Sequence, residues 1–211
     1  ALDLGCGTGI STRQLKEHGF HAIGLDRDEG MLEAAHKNDP EGTYISAVAE
    51  KLPFGDAEFD VVTAFTSFHW FDNENAISEI KRVLKNDGLF FTVLKRSHKR
   101  IGSEELTEDY KTIVRKYVGS NFDSTKNHRP KESLSEHGFW DIKERSFFID
   151  ESYTVEEALI LVQSMSFWNL VAKESKPALL KELGDFYQQN LENGFFVRHW
   201  EISTVAGFKK A

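Results

Sequence analysis

The chain has 211 residues, which at about 100–200 residues per domain fits one domain with at most a sizeable insertion. Apolar residues make up 40% and charged residues 28%, and no run approaches the roughly 18 apolar residues of a membrane helix, so a membrane-spanning helix is excluded. Lys plus Arg is 26 against 34 for Asp plus Glu, a net charge of −8, which argues against nucleic acid as a partner because that affinity rests on phosphate neutralisation.

Residues 1–60 carry five basic and twelve acidic side chains, whereas residues 61–100 carry seven and four. Only one short stretch is basic, at Lys95, Arg96, Lys99 and Arg100, a run read as a solvated loop. A single cysteine, Cys6, excludes an internal disulfide framework. With no signal segment at the start, the expected compartment is cytoplasmic. Ala1-Leu2-Asp3-Leu4 reads as the middle of a buried strand with no initiator methionine, so a segment is expected upstream.

Short apolar runs alternate with amphipathic stretches through the first 95 residues, the pattern of strand–helix–strand units on a parallel sheet. Leu2 to Leu4 ends a strand, Ser11 to His18 has helical spacing, and Gly19 is placed to end that helix. His21 to Leu25 is a second strand, Glu29 to Lys37 a helix, Tyr44 to Val48 a third strand and Asp60 to Phe65 a fourth. The fourth is almost continuously apolar, as a central parallel strand should be. Ala76 to Leu84 is a helix, and Asn86-Asp87-Gly88 a turn before the strand Leu89 to Leu94. Five β/α units are expected in this half.

Beyond it the pattern becomes helical around Glu104 to Val118, Val155 to Met165 and Pro177 to Asn190. Two strand-like runs, Ile142 to Ile149 and Phe195 to Val205, interrupt these helices and are expected to complete the sheet edge as a late antiparallel pair. There is no repeat and no low-complexity linker. The reading is a single domain over residues 1–211, with a cofactor-binding half over 1–95 and a helical insertion plus the last two strands over 96–211.

The chemistry begins at Asp3-Leu4-Gly5-Cys6-Gly7-Thr8-Gly9, directly after a strand and directly before a helix. That is the context in which a glycine-rich turn is informative, because the helix aims its free amides and positive dipole end at the turn. An anionic ligand group fits there. Ile10 stands where a dinucleotide fingerprint calls for glycine or alanine, which weakens a nicotinamide reading. The second strand closes on Asp26, seventeen residues after Gly9. A carboxylate at that sheet edge can accept hydrogen bonds from both hydroxyls of a ribose; alternatively it caps the next helix or joins a turn with Asp28.

Leu2 to Gly9, Gly24-Leu25-Asp26 with Gly30-Met31-Leu32, Ala49 to Phe54, Phe59 to Val62 and Arg82 to Gly88 resemble, in order, the motifs of class I S-adenosylmethionine-dependent methyltransferases. The likeness is to the small-molecule branch that includes ubiquinone/menaquinone-biosynthesis and trans-aconitate methyltransferases. The resemblance implies a Rossmann-like, doubly wound α/β fold with seven strands, the last antiparallel, and S-adenosylmethionine as cofactor. It implies that Gly5, Cys6, Gly7 and Gly9 cradle the methionine moiety, that Asp3 approaches from the strand, and that Asp26 holds the ribose. Arg27 and Met31 would lie near the adenine, Ala49 and Glu50 at its edge, and Thr66 near the sulfonium. Val48 departs from the family's usual acidic residue, and Arg27 stands where smaller residues are commoner, either stacked on the adenine or turned to solvent.

Phe68-His69-Trp70-Phe71 follows the fourth strand, in the crevice where open α/β sheets bind ligands. His69 is the candidate base or donor, with Trp70 and Phe71 as an apolar wall; a loop histidine with core aromatics is the rival reading. Ser164 and Ser166 are candidate acceptor contacts by the same resemblance, against core packing. His199 and Trp200 read as structural, and no His/Cys cluster has metal-ligand spacing. Methyl transfer to a small molecule by a monomer or homodimer is therefore expected; a non-catalytic nucleotide-binding or scaffolding protein and an NAD-dependent oxidoreductase stay open.

Overall fold

Leu2–Leu4 is short, apolar and fully buried, and forms β1. The structure, a computed structural model, describes residues 1–97, 104–119 and 128–210. From β1 the chain passes through α1 (Ile10–Glu17), β2 (Ile23–Asp26), α2 (Glu29–Asn38) and β3 (Thr43–Ser46), then β4 (Phe59–Phe65), α3 (Glu74–Val83) and β5 (Leu84–Ser97). Next come α4 (Glu104–Val118), α5 (Pro130–Glu136), β6 (Phe139–Tyr153), α6 (Val155–Gln163), α7 (Lys176–Gln189) and β7 (Phe196–Lys209). Lys99 and Arg100 of the basic run lie outside the described residues.

The seven strands run in the order β3-β2-β1-β4-β5-β7-β6, parallel through the first five and antiparallel near the end. This is the doubly wound sheet expected from the alternating pattern. Leu4 pairs with Leu25 on β2, and Asp3 with Thr63 on β4. Because the chain winds outward from β1 on both sides, the β1/β4 boundary is a topological switch point, where the crevice opens outside the carboxyl ends of the strands.

Two units can be recognised. The first takes Ala1–Lys95, Asn127–Ser146 and Ser203–Ala211, and its core joins Leu2, Leu4, Leu25, Val62 and Ala64 of the strands to Ile77, Ile80 and Val83 of α3. Those three α3 residues fall at helical spacing on one face, as an amphipathic helix on a sheet requires. The second takes Arg96–Lys126 and Phe147–Ile202. There Val114, Val162, Leu179, Leu183, Phe186 and Tyr187 form a separate core, and Thr154 and Glu157 make a reciprocal capping box at the start of α6. Among the described residues no helix is long and apolar enough to cross a membrane.

Three expectations are corrected. The first half contains five strands but three helices, because β3 passes to β4 without one. Pro53 and Gly55 break the helical pattern there, and Arg82 of α3 holds the stretch instead, donating to the carbonyls of Leu52 (3.1 Å) and Phe54 (2.8 Å). The Asn86–Gly88 turn is absorbed into β5 as a bulge: Phe59 pairs with Leu84 but Val61 with Leu89, and Asp87 takes φ 59°. Helix α5 was not expected at all.

Candidate active site

Where β1 ends, the amides of Gly5 and Cys6 both donate to the Leu25 carbonyl, at 2.7 and 3.0 Å. The turn is thereby tied to the end of β2. On its other side a Cβ at Gly5, which has φ +66°, would sit 2.5 Å from Ser67 Cβ, and Ser67 Oγ donates to the Leu4 carbonyl at 2.6 Å. Only glycine fits at that position. Gly7 differs: its φ is +53°, yet a Cβ there would meet nothing within 4 Å, so the turn has an open flank. Gly9 caps α1 with no side-chain hydrogen bond to the first-turn amides, which leaves the positive helix end for an anionic group.

Asp3 lies beneath the turn, fully buried. Its Oδ2 accepts from Ser11 Oγ (2.6 Å) and Thr12 Oγ1 (2.7 Å), and its Oδ1 from Thr63 Oγ1 (3.0 Å). Burial raises its carboxyl above the ordinary range, the three hydroxyls oppose that shift, and the Asp26 charge adds to it. Asp3 thus fastens β1 to α1 and β4 rather than presenting an open carboxylate. Cys6 is 5% exposed, and its side chain packs with Leu32, Ala35 and Tyr44. Burial pushes its thiol up to about 12, so this residue offers no thiolate.

Asp26 closes the gap between the two motifs. Its Oδ2 accepts from the Gly7 amide at 2.8 Å and its Oδ1 from the Asp28 amide at 3.0 Å. Asp26 thus joins the turn with Asp28 and also faces the glycine turn. Asp28, not Asp26, caps α2 through the Met31 amide. Arg27 is exposed, and Met31 and Val48 are 39% and 45% exposed, large apolar side chains left uncovered beside Asp26 in sequence or on the next strand end. The Ala49 side chain is buried in the first core, so only its backbone can border a ligand. Glu50 is exposed and accepts from Asn73 Nδ2 at 2.9 Å.

Thr66 follows β4 with φ 53°, a strained setting for a β-branched residue. It bends the chain so that Phe68–Trp70 forms a short 3₁₀ turn. Phe68 and Phe71 are buried in the core while Trp70 is 51% exposed; Phe71 is thus core packing at the Gly5 turn rather than an open wall. His69 is half-buried, its ring 4.9 Å from Trp70 and 6.0 Å from His128. Behind it His128 Nδ1 lies 3.0 Å from Asp72 Oδ2, and Ser133 Oγ donates to Asp72 Oδ1. His128 and Asp72 side chains are 4% and 17% exposed. Sequence reasoning missed this cluster; the adjacency of Asp72 to Phe71 was its one local signal.

Ser164 and Ser166 belong to the second unit. Ser164 Oγ donates to the Leu161 carbonyl at 2.7 Å, ending α6, and the Ser166 side chain lies outside the described residues. Among the described residues no group of three or more His, Cys, Asp or Glu side chains is arranged to hold a metal.

An open flank at Gly7, uncapped amides at the start of α1, and a carboxylate on the neighbouring strand end fit a ligand with an anionic end and a ribose diol. Residues 2–92 match the family model described as a methyltransferase domain. An uncharacterised methyltransferase of Synechocystis is 40% identical over 95 residues, 44% of this chain and 45% of that protein. The chain thus spans less than half the length of that relative. A methyltransferase-like protein of Schizosaccharomyces pombe is 31% identical over 185 residues, 87% of this chain and 71% of that protein. In fold, the YcgJ protein of a Bacillus is similar with a TM-score of 0.65 at 19% identity, over 100% of this chain and 91% of that one. Phosphoethanolamine N-methyltransferase 2 of Haemonchus contortus, solved with S-adenosylmethionine, reaches 0.56 at 23% identity over 100% and 48%. No relative supports a scaffold or a nicotinamide oxidoreductase. This chain belongs to the class I S-adenosylmethionine-dependent methyltransferases.

Proposed function

We propose that the chain transfers a methyl group from S-adenosylmethionine to a small-molecule acceptor by in-line displacement, acting in the cytoplasm as a monomer or homodimer. The observation that carries this reading is the 2.8 Å bond from the Gly7 amide to Asp26, which joins the glycine turn and the Asp26 carboxylate at one sheet edge. When bound, the donor supplies a methyl group activated by the adjacent sulfonium.

The chain's own residues bind and orient. The turn formed by Gly5, Gly7 and Gly9 cradles the amino-acid end at the start of α1, and Asp26 accepts from the ribose hydroxyls. Arg27 and Met31 flank the adenine, with Glu50 and the backbone of Ala49 at its edge and Thr66 toward the transferred group. Positioning of this kind supplies on the order of 7–11 kcal/mol of barrier reduction. Where the acceptor nucleophile carries a proton, His69 takes it, adding a factor of about 10²–10⁴. Trp70 excludes water. Residues 1–95 bind the donor.

Incubation with labelled methyl donor and a panel of small acids, phenols and amines tests this. Turnover of at least one acceptor, with His69→Ala slowed by about 10²–10⁴ on hydroxyl or amine acceptors and unchanged in donor affinity, is the expected result. Wild-type rates in His69→Ala would remove the base role; donor binding with no turnover on any acceptor would count against the enzyme reading.

A further inference from the structure

Side chains alternate along β7, so Phe196, Arg198 and Trp200 share a face. That face is otherwise aromatic. Phe196 packs against Phe186 and Tyr187, with ring centroids 5.8 and 4.5 Å away, inside the second core. The Arg198 guanidinium lies 4.2 Å from the Trp200 ring centroid and 5.3 Å from that of Tyr110, and Tyr110 stacks on Tyr187 at 20°.

A chain of net charge −8 has carboxylates to spare, yet no ion pair found among the described residues involves Arg198. Its Nη1 is buried with no hydrogen-bond partner among the described residues. A guanidinium carries five donors and no acceptor, and a buried donor without an acceptor keeps its full desolvation cost. Burial also holds the phenols of Tyr110 and Tyr187 above their ordinary range, so they too stay protonated. Aromatic faces make the charge tolerable; they do not satisfy its donors. The phenol oxygens of Tyr110 and Tyr187, and of Tyr153, which donates to Glu151, could accept, yet none of them bonds Nη1.

We propose that Arg198, walled by Tyr110 and Trp200, is a receptor for the oxyanion of a small ligand with a flat apolar body, either a carboxylate or a phosphate monoester. The planar fork of arginine matches both oxyanions bidentately, and Tyr110, partly buried where Trp200 and Tyr187 are buried, is the ring that meets the apolar body. The site lies wholly in the second unit and does not depend on the donor-binding reading.

The test titrates the full chain with benzoate, phenyl phosphate and neutral benzyl alcohol, following the Arg198 guanidinium resonances by NMR and the binding heat by calorimetry. Saturable binding of at least one anion is expected, about tenfold or more tighter than benzyl alcohol, with the Arg198 resonances shifting. The tighter anion names the source. Arg198→Gln is expected to lose that preference and Arg198→Lys to retain part of it, both keeping wild-type affinity for S-adenosylhomocysteine. Absence of binding by both anions, binding that leaves the Arg198 resonances unmoved, or an Arg198→Gln variant that binds as wild type would each overturn the proposal. If Arg198→Gln does not fold, the wild-type resonances decide. Loss of S-adenosylhomocysteine binding in wild type would instead count against the donor site.

Discussion

The Gly7 amide donates to Asp26 Oδ2 at 2.8 Å across a gap of 19 residues. This bond links the turn after β1 to the carboxyl end of β2, and the two elements expected to hold opposite parts of the donor are thereby one rigid edge. The carboxylate keeps further lone pairs for a diol. Asp26→Asn preserves an acceptor for Gly7 but loses the charge. Hydrogen bonds to charged groups contribute about 1.5–3 kcal/mol, so calorimetry should show S-adenosylmethionine affinity falling by roughly 10–100-fold at little cost in stability.

Gly5 and Gly7 should respond differently to alanine. A methyl at Gly5 lies 2.5 Å from Ser67 Cβ, so Gly5→Ala should lose about 2 kcal/mol or more of unfolding free energy by overpacking. At Gly7 a methyl meets no protein atom within 4 Å, and the cost is that of a left-handed backbone, about 1–2 kcal/mol. Gly7→Ala should nonetheless abolish donor binding, because the methyl occupies the flank the ligand needs. Denaturant unfolding and calorimetry on both variants check the split.

Asp3 gives a pH signature. Burial, the largest cause, raises its carboxyl above the ordinary 3.8, so between that value and the raised one the folded chain keeps a proton that the unfolded chain has released. Its contribution is fully present below about 3.8 and is lost as pH rises through the raised value. Asp3→Asn carries no such proton. Urea midpoints of the two proteins from acid to neutral pH should show wild type losing stability relative to Asp3→Asn as pH rises, whereas a constant difference would contradict this origin.

Thr66 holds φ 53°. Thr66→Gly should relieve a left-handed penalty of about 1–2 kcal/mol against roughly 0.5–1 kcal/mol of added chain entropy. A net gain of up to about 1 kcal/mol in stability is expected, together with slower methyl transfer as the 3₁₀ turn carrying His69 loosens. Thermal unfolding and turnover rates measure the two effects.

The strands and the glycine turn were legible because their signals are local: an apolar run, a turn at fixed offset, an acid at the next strand end. The missed α5 is seven residues long, too short for periodicity, and Pro130 at its first turn was its main mark. The bulge before Leu89 depends on pairing with β4, which no local pattern encodes. Cys6 and Ala49 sat within the right motifs, yet their side chains turn into cores, a distinction set by packing. The Asp72, His128 and Ser133 cluster joins residues 61 positions apart at its widest bond, and Arg198 among aromatics is equally tertiary.

A crystal structure of the chain with S-adenosylhomocysteine tests the central claim most directly. The ribose hydroxyls should lie within hydrogen-bond distance of the Asp26 carboxylate, with the amino-acid end over the Gly7 flank. A product molecule bound away from that edge, with Asp26 touching only Gly7 and Asp28, would contradict it.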